Sequence, residues 1–149
     1  MNKERRLLEL ADEYRDCKRC GLCKTREKVV FGEGNPDAKL LIVGEAPGAE
    51  EDRAGRPFVG ESGKILNTFL KAACISRRDD IYITNTVCCR PFTDEENRDG
   101  STYQENRPPN KEERAQCRAR LLETIYTVAP YLIIALGKVP LQALLGRVG

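Results

Sequence analysis

"AKLLIVGEAPGAEEDRAGRPFVG" spans residues 38–60. Its opening "AKLLIV" (38–43) is a continuous apolar run closed by glycine, which reads as a strand buried on both faces. The rest is poor core material: a Gly/Pro turn at 44–48, the acids Glu50, Glu51 and Asp52 in a row, then Arg56-Pro57-Phe58. A buried strand opening into such a turn suggests a scaffold element that delivers a site at its carboxyl end.

Outward from there, "IYITNTV" (81–87) is rich in β-branched and aromatic residues, and "YLIIAL" (131–136) reads as a third strand. Helices are expected between and around them. Residues 3–16 carry Leu7, Leu8, Ala11 and Tyr14 at helical spacing. Ile65, Leu66, Phe69, Leu70 and Ala73 line one face of a second helix, with Ser62 as candidate cap. Asn110 precedes a third whose apolar face is Leu121, Leu122, Ile125 and Val128, with Glu113 placed to close a capping box. "VPLQALLG" starts a last one. Residues 90–110 are long, polar and turn-rich and read as an exposed loop. Strands alternating with helices imply the α/β class, a three-layer αβα sandwich with a central, mostly parallel sheet. Ligands in such sheets bind beyond the carboxyl ends of the strands, here Gly44–Pro47, Asn85 with Cys88 and Cys89, and Gly137-Lys138.

The chain has 149 residues, 40% hydrophobic and 32% charged, which predicts a single domain over 1–149. No apolar run reaches the length of about 18 residues that a membrane helix needs, and "MNKERRLLEL" does not read as a signal peptide. The expectation is a protein without membrane contact, in the cytoplasm. A net charge of +2 does not announce a nucleic-acid binder; any such surface must come from local clustering.

Seven cysteines and no histidine are unusual counts. An odd cysteine number without an export signal argues for a reduced compartment and for metal or cluster binding over disulfides. Cys17 and Cys20 are spaced to reach one metal, while Cys88, Cys89 and Cys117 lie far along the chain. Two ligands in one loop and two distant ones would staple the N-terminal segment, 1–37, to the body. Spacing alone does not separate a four-cysteine zinc site from an iron–sulfur cluster. Cys23 has metal-like spacing from Cys20, and Cys74, after the apolar face of the second helix, reads as core. Without histidine, acid–base work falls to carboxylates, tyrosine, lysine or water.

"CKRCGLCKTREKVVFGEG", "GEAPGAEEDRAGRPFVGESGKIL", "YITNTVCCRP", "RPPNKEERAQC" and "PYLIIALG" occur in this order. Together they resemble the iron–sulfur, family 4 uracil-DNA glycosylases of the uracil-DNA glycosylase superfamily, from about Tyr14 to Leu145. The resemblance implies a [4Fe–4S] cluster on Cys17, Cys20, Cys89 and Cys117, with Cys89 preferred to Cys88 because it directly precedes Arg90-Pro91. It implies that Gly44–Gly48, Ala46 included, is the first catalytic motif, that Phe58 stacks on a flipped uracil, and that Asn85 reads the uracil edge. The partner it implies is uracil-containing DNA, single- or double-stranded, met by a monomer in a bacterial, archaeal or phage-host cytoplasm. Two departures stand out. "TDEENRDGSTYQ" looks like an insertion between Cys89 and Cys117. The family also carries a further strand and a His-Pro motif, and on that comparison this chain reads as C-terminally shortened and is expected to excise uracil slowly or not at all.

The chemistry fits the residue types. Hydrolysing the N-glycosidic bond of deoxyuridine requires the nucleotide out of the stack, a flat apolar partner for the base (Phe58), and an amide offering both donor and acceptor (Asn85). Carboxylates near the sugar stabilise its developing cation or orient water; Glu45 and Glu51 are the preferred pair among Glu45, Glu50, Glu51 and Asp52. Arg56, Arg90, Lys138 and the helix start near Ser62 are candidates for phosphate. Two other readings compete: a catalytically impaired DNA-binding or interaction module on the same fold, and a zinc-stapled nucleotide-binding domain. The second lacks the lysine and hydroxyl of a P-loop.

Overall fold

The computed structural model describes residues 1–146. The apolar runs form the centre of a four-stranded sheet of order β1-β3-β2-β6. β2 (Leu40–Gly44) pairs in parallel with β3 (Ile81–Asn85) on one side and with β6 (Leu132–Ala135) on the other. A short β1 (Glu33–Gly34), not foreseen in the sequence, adds an antiparallel edge on β3. Gly34 is required there, because with φ 132° a Cβ would fall 2.8 Å from the Tyr82 Cα.

Side-chain alternation sends Leu41, Val43 and Tyr82 to one face, against Leu7, Leu10 and Tyr14 of α1 (Lys3–Arg15) and Leu121 and Val128 of α4 (Lys111–Val128). Ile42, Ile81 and Ile83 point to the other face and meet Leu66 and Leu70 of α3 (Glu61–Ala72). Helices therefore cover both faces of the mostly parallel sheet, as the strand–helix alternation predicts. In α1 Leu10 joins Leu7 and Tyr14 on the inward face, and Leu8 is exposed. β6 is an edge strand whose Leu132 and Ile134 are exposed, because among the described residues no helix covers that part of the α3 face. α5 (Lys138–Leu144) follows and packs Ala143 on the α1/α4 side. Among the described residues no helix is long and apolar enough to cross a membrane.

Local signals explain most boundaries. Asn110 caps α4 by accepting the Glu113 N–H at 2.9 Å while Glu113 accepts the Asn110 N–H at 2.8 Å, the reciprocal pair expected from the sequence. α3 is capped by Gly60 and not by Ser62, which lies exposed in the first turn. Its apolar face is split: Leu70 is buried, whereas Ile65 and Phe69 are 59% and 69% exposed and Ala73 is exposed. Cys74, expected in the core, is exposed and takes a left-handed φ of 56° where the helix ends. Two further elements were not foreseen, and one of them replaces the loop expected over 90–110. Residues Ala49–Ala54 form α2, and the polar stretch after Cys89 is a hairpin of β4 (Phe92–Glu96) and β5 (Thr102–Asn106).

Candidate functional site

A cleft of about 570 Å³ opens past the carboxyl ends of β2 and β3, lined by Gly44, Glu45, Phe58, Phe69, Asn85 and Asn106 among others. The two strand ends are locked together at its floor. Thr86 donates from both its N–H, at 2.8 Å, and its hydroxyl, at 3.0 Å, to the Gly44 carbonyl. Ile65 and Phe69 of α3 form a wall, which explains why apolar residues at helical spacing remain exposed. Asn85 is 2% exposed, yet its side-chain amide makes no hydrogen bond to any described residue, so its donor and acceptor are free towards the cleft.

Phe58 is held where the backbone resists. Its φ is 50°, a left-handed conformation uncommon for a bulky residue. Arg77 clamps it: NH1 donates to the Phe58 carbonyl at 2.7 Å and to Asn67 Oδ1 at 2.9 Å, and NH2 donates to the Pro57 carbonyl. Glu33 braces this arginine at 3.1 Å and also takes Arg56 bidentately at 2.8 and 2.9 Å. Gly63 is close beneath, where a Cβ would lie 3.0 Å from the Phe58 Cα and nearer still to its carbonyl. At Gly44 a Cβ would lie 2.8 Å from Phe58 Cε2 and closer to Cζ and to Asn85 Oδ1. The glycine thus allows ring and amide to approach the same spot.

The acids separate by environment. Glu45 is half-buried on the cleft wall, with no salt bridge or side-chain hydrogen bond among the described residues. Glu51 is engaged at both oxygens: Oε1 accepts the Gly48 N–H at 3.1 Å and Oε2 the Gly60 N–H at 2.7 Å. It ties the turn after β2 to the start of α3. Asp52 is buried and accepts the Glu27 N–H at 2.9 Å, facing away from the cleft. Glu50 is exposed.

Cys17, Cys20, Cys89 and Cys117 line one pocket, together with Cys88. Cys23 lies in a separate surface depression. All seven cysteines are free thiols. The pocket is apolar on the Leu22, Val29 and Val87 side, and cationic elsewhere: Arg26 NH1 reaches Cys89 Sγ at 3.6 Å and Arg120 NH2 reaches Cys117 Sγ at 3.7 Å. Glu113, the acid at its rim, is taken up by Arg107 at 2.7 and 2.9 Å. Burial pushes the Cys89 thiol up to about 12 against the pull of Arg26, and raises Cys20 as well. The hydrogen bond from Cys88 holds Cys117 well below the ordinary thiol range, with Arg120 adding to the effect, while burial drives Cys88 up. Four thiols with adjacent guanidinium groups suit an anionic, thiolate-ligated group. No three Cys, Asp or Glu among the described residues surround a single ion position.

The expected phosphate ligands fare unevenly. Arg90 is buried, with Nε donating to Asn106 Oδ1 at 2.7 Å and NH1 to Gln104 Oε1 at 2.9 Å, and it stacks 4.7 Å from the Phe92 ring centroid. It anchors the hairpin. Arg56 is committed to Glu33, and Lys138 is exposed at the start of α5.

The family model described as the uracil DNA glycosylase superfamily matches residues 31–149. The chain belongs to this superfamily. It is 42% identical over 137 residues to a type-4 uracil-DNA glycosylase of Thermotoga maritima, covering 91% of this chain and 65% of the relative. It is 40% identical over 129 residues to one of Saccharolobus solfataricus, covering 87% of this chain and 54% of the relative. A type-5 uracil-DNA glycosylase of Thermus thermophilus is 34% identical over 133 residues, covering 80% and 55%. The chain thus spans between half and two thirds of the length of these uracil-DNA glycosylases. Sequence reading overlooked Asn106 and Arg107 on the cleft rim and Arg26 and Arg120 at the cysteine pocket. For Arg120 a signal existed: it lies three residues after Cys117 on a helix, hence on the same face.

Proposed function

We propose that the chain hydrolyses the N-glycosidic bond of flipped-out deoxyuridine in DNA, the first step of base-excision repair. The observation that carries this reading is the convergence of the Phe58 ring and the unpartnered Asn85 amide over Gly44 at the floor of the cleft. The ring stacks on the extruded base; the amide accepts from uracil N3–H and donates to O4. Thymine offers the same edge, so its rejection must come from the space around its methyl group. As the bond breaks, the sugar becomes cationic and the leaving uracil anionic. Glu45, whose carboxylate has no partner among the described residues, stabilises the sugar or orients the attacking water. Glu51 serves by position, since both its oxygens hold backbone N–H groups. The Gly48 N–H is consumed in that contact, which leaves other N–H groups of the turn, such as that of Ala46, to face uracil O2.

Cys17, Cys20, Cys89 and Cys117 hold a [4Fe–4S] cluster in this reading, supported by their shared pocket and its guanidinium groups. The alternative occupant of the same four thiols is a zinc ion. When bound, the cluster supplies a cross-link between the segment after α1, the end of β3 and α4. The protein acts as a monomer on single- or double-stranded DNA in the cytoplasm. A uracil-containing oligonucleotide treated with the iron-loaded protein and then with alkali should break at uracil and not at thymine. No uracil-dependent breakage, even at protein excess, would overturn the reading.

A further inference from the structure

Arg120 is 0% exposed, on α4 one turn beyond Cys117. NH1 donates to Thr84 Oγ1 at 2.9 Å, and NH2 donates to the carbonyls of Asn85 at 2.6 Å and Thr86 at 3.0 Å. The same NH2 lies 3.7 Å from Cys117 Sγ, and Nε has no partner among the described residues. No carboxylate among the described residues forms a salt bridge with it. Carbonyls and a hydroxyl solvate a guanidinium but do not neutralise it, and a buried cation without a counter-charge is strongly unfavourable.

Besides the Phe31 ring, whose centroid lies 5.9 Å from its Cζ, the side chain is split between two polar neighbours. One is the carboxyl end of β3, which carries Asn85. The other is the cysteine pocket, where ligation turns thiols into thiolates and so supplies the missing negative charge. We propose that Arg120 is a positioning residue coupling the two sites: the ligated cysteines hold its charge, and its fork of donors fixes the backbone that aims the Asn85 amide. This rests on the base-pocket and cluster assignments above and goes beyond them, because it gives the cysteine site a direct hold on base recognition. Lysine would keep the charge but lose the fork, and methionine would fill the volume without either.

The test uses the whole iron-loaded chain with Arg120→Met and Arg120→Lys. Free uracil is titrated at equilibrium, the midpoint potential of the bound cluster is measured, and hydrogen exchange is followed at the Thr86 and Val87 amides. Both variants should keep visible absorbance and bind uracil about tenfold more weakly or worse, as expected for a lost charged hydrogen bond. The potential should become more negative in Arg120→Met, where a positive charge beside the cluster is gone, and stay near wild type in Arg120→Lys. Exchange at Thr86 and Val87 should quicken in both. A coloured Arg120→Met protein with wild-type uracil affinity would overturn the proposal. If the wild-type chain itself binds no uracil, the base-pocket assignment fails; unchanged potential and exchange in Arg120→Met would then overturn the coupling separately. If neither variant folds, chelation of wild-type protein decides: exchange at Thr86 and Val87 should accelerate relative to the β2 amides, and equal acceleration refutes the idea.

Discussion

Replacing Gly44 by alanine would put a methyl group where the cleft has no room for one. The added Cβ would fall 2.8 Å from Phe58 Cε2, with Phe58 Cζ and Asn85 Oδ1 closer. The two neighbours differ in their freedom to retreat. The Asn85 amide has no hydrogen-bond partner among the described residues to hold it, whereas the Phe58 backbone is gripped by Arg77 at its own carbonyl and at that of Pro57. In the proposed base pocket, rotation of the amide would remove its two base contacts, at about 0.5–1.5 kcal/mol each. Displacement of the ring erodes a stack worth about 1–3 kcal/mol. The expected loss of uracil affinity is therefore roughly 2–4 kcal/mol if both yield, since the contributions overlap. Stability should fall by only about 1–3 kcal/mol, the usual effect of an extra methyl in a packed site. Equilibrium titration with uracil, beside a urea melt, separates the two quantities. A Gly44→Ala protein that binds uracil as tightly as wild type would refute the idea that ring and amide share this spot.

Other outcomes can be checked as directly. Cys89→Ser should lose visible colour and solubility together, whereas Cys74→Ser should keep both, because Cys74 is exposed at the end of α3; a bleached Cys88→Ser beside a coloured Cys89→Ser would reassign the ligand. Glu45→Gln should slow excision by about a hundredfold with little change in uracil affinity, while Glu51→Gln should weaken both by loosening the turn; equal kinetic signatures would count against separate roles. Burial pushes the Glu33 carboxyl up, but Arg56 and Arg77 outweigh it and hold the group below its ordinary value of 4.5. Its contribution to stability is whole above that value and is lost as pH falls through the depressed one, so the urea midpoint should drop below about pH 4.5. Glu33→Gln should flatten that drop, and parallel profiles would sink the argument.

What the sequence disclosed follows from how local each signal is. "AKLLIV" and "IYITNTV" are strands because apolar β-branched runs can be satisfied only in a covered sheet, and Asn110 with Glu113 is a cap because both halves lie within one turn. α2 left no periodic trace: "AEEDRA" is short, polar and capped by a glycine. The hairpin strands "FTDEE" and "TYQEN" face solvent and are docked from outside by Arg90, a contact no window across 92–106 contains. Phe69 and Ile65 show a different limit, since helical spacing marks an apolar face without saying whether it meets a core or an open cleft. Phe58 and Asn85 were nameable through the motifs around them. Their convergence over Gly44 was not, because it depends on the pairing of Gly44 with Asn85 across β2 and β3 and on the Arg77 hold on Phe58.

The left-handed backbone at Phe58 has a consequence for the rate and thermodynamics of ligand uptake. A bulky residue with a φ of 50° costs about 1–3 kcal/mol, and that cost is met when the chain folds, not when a base arrives. The ring then waits in place, with little disorder to lose and no loop to close. Association of uracil with the pocket should accordingly follow a single exponential whose rate rises linearly with ligand concentration.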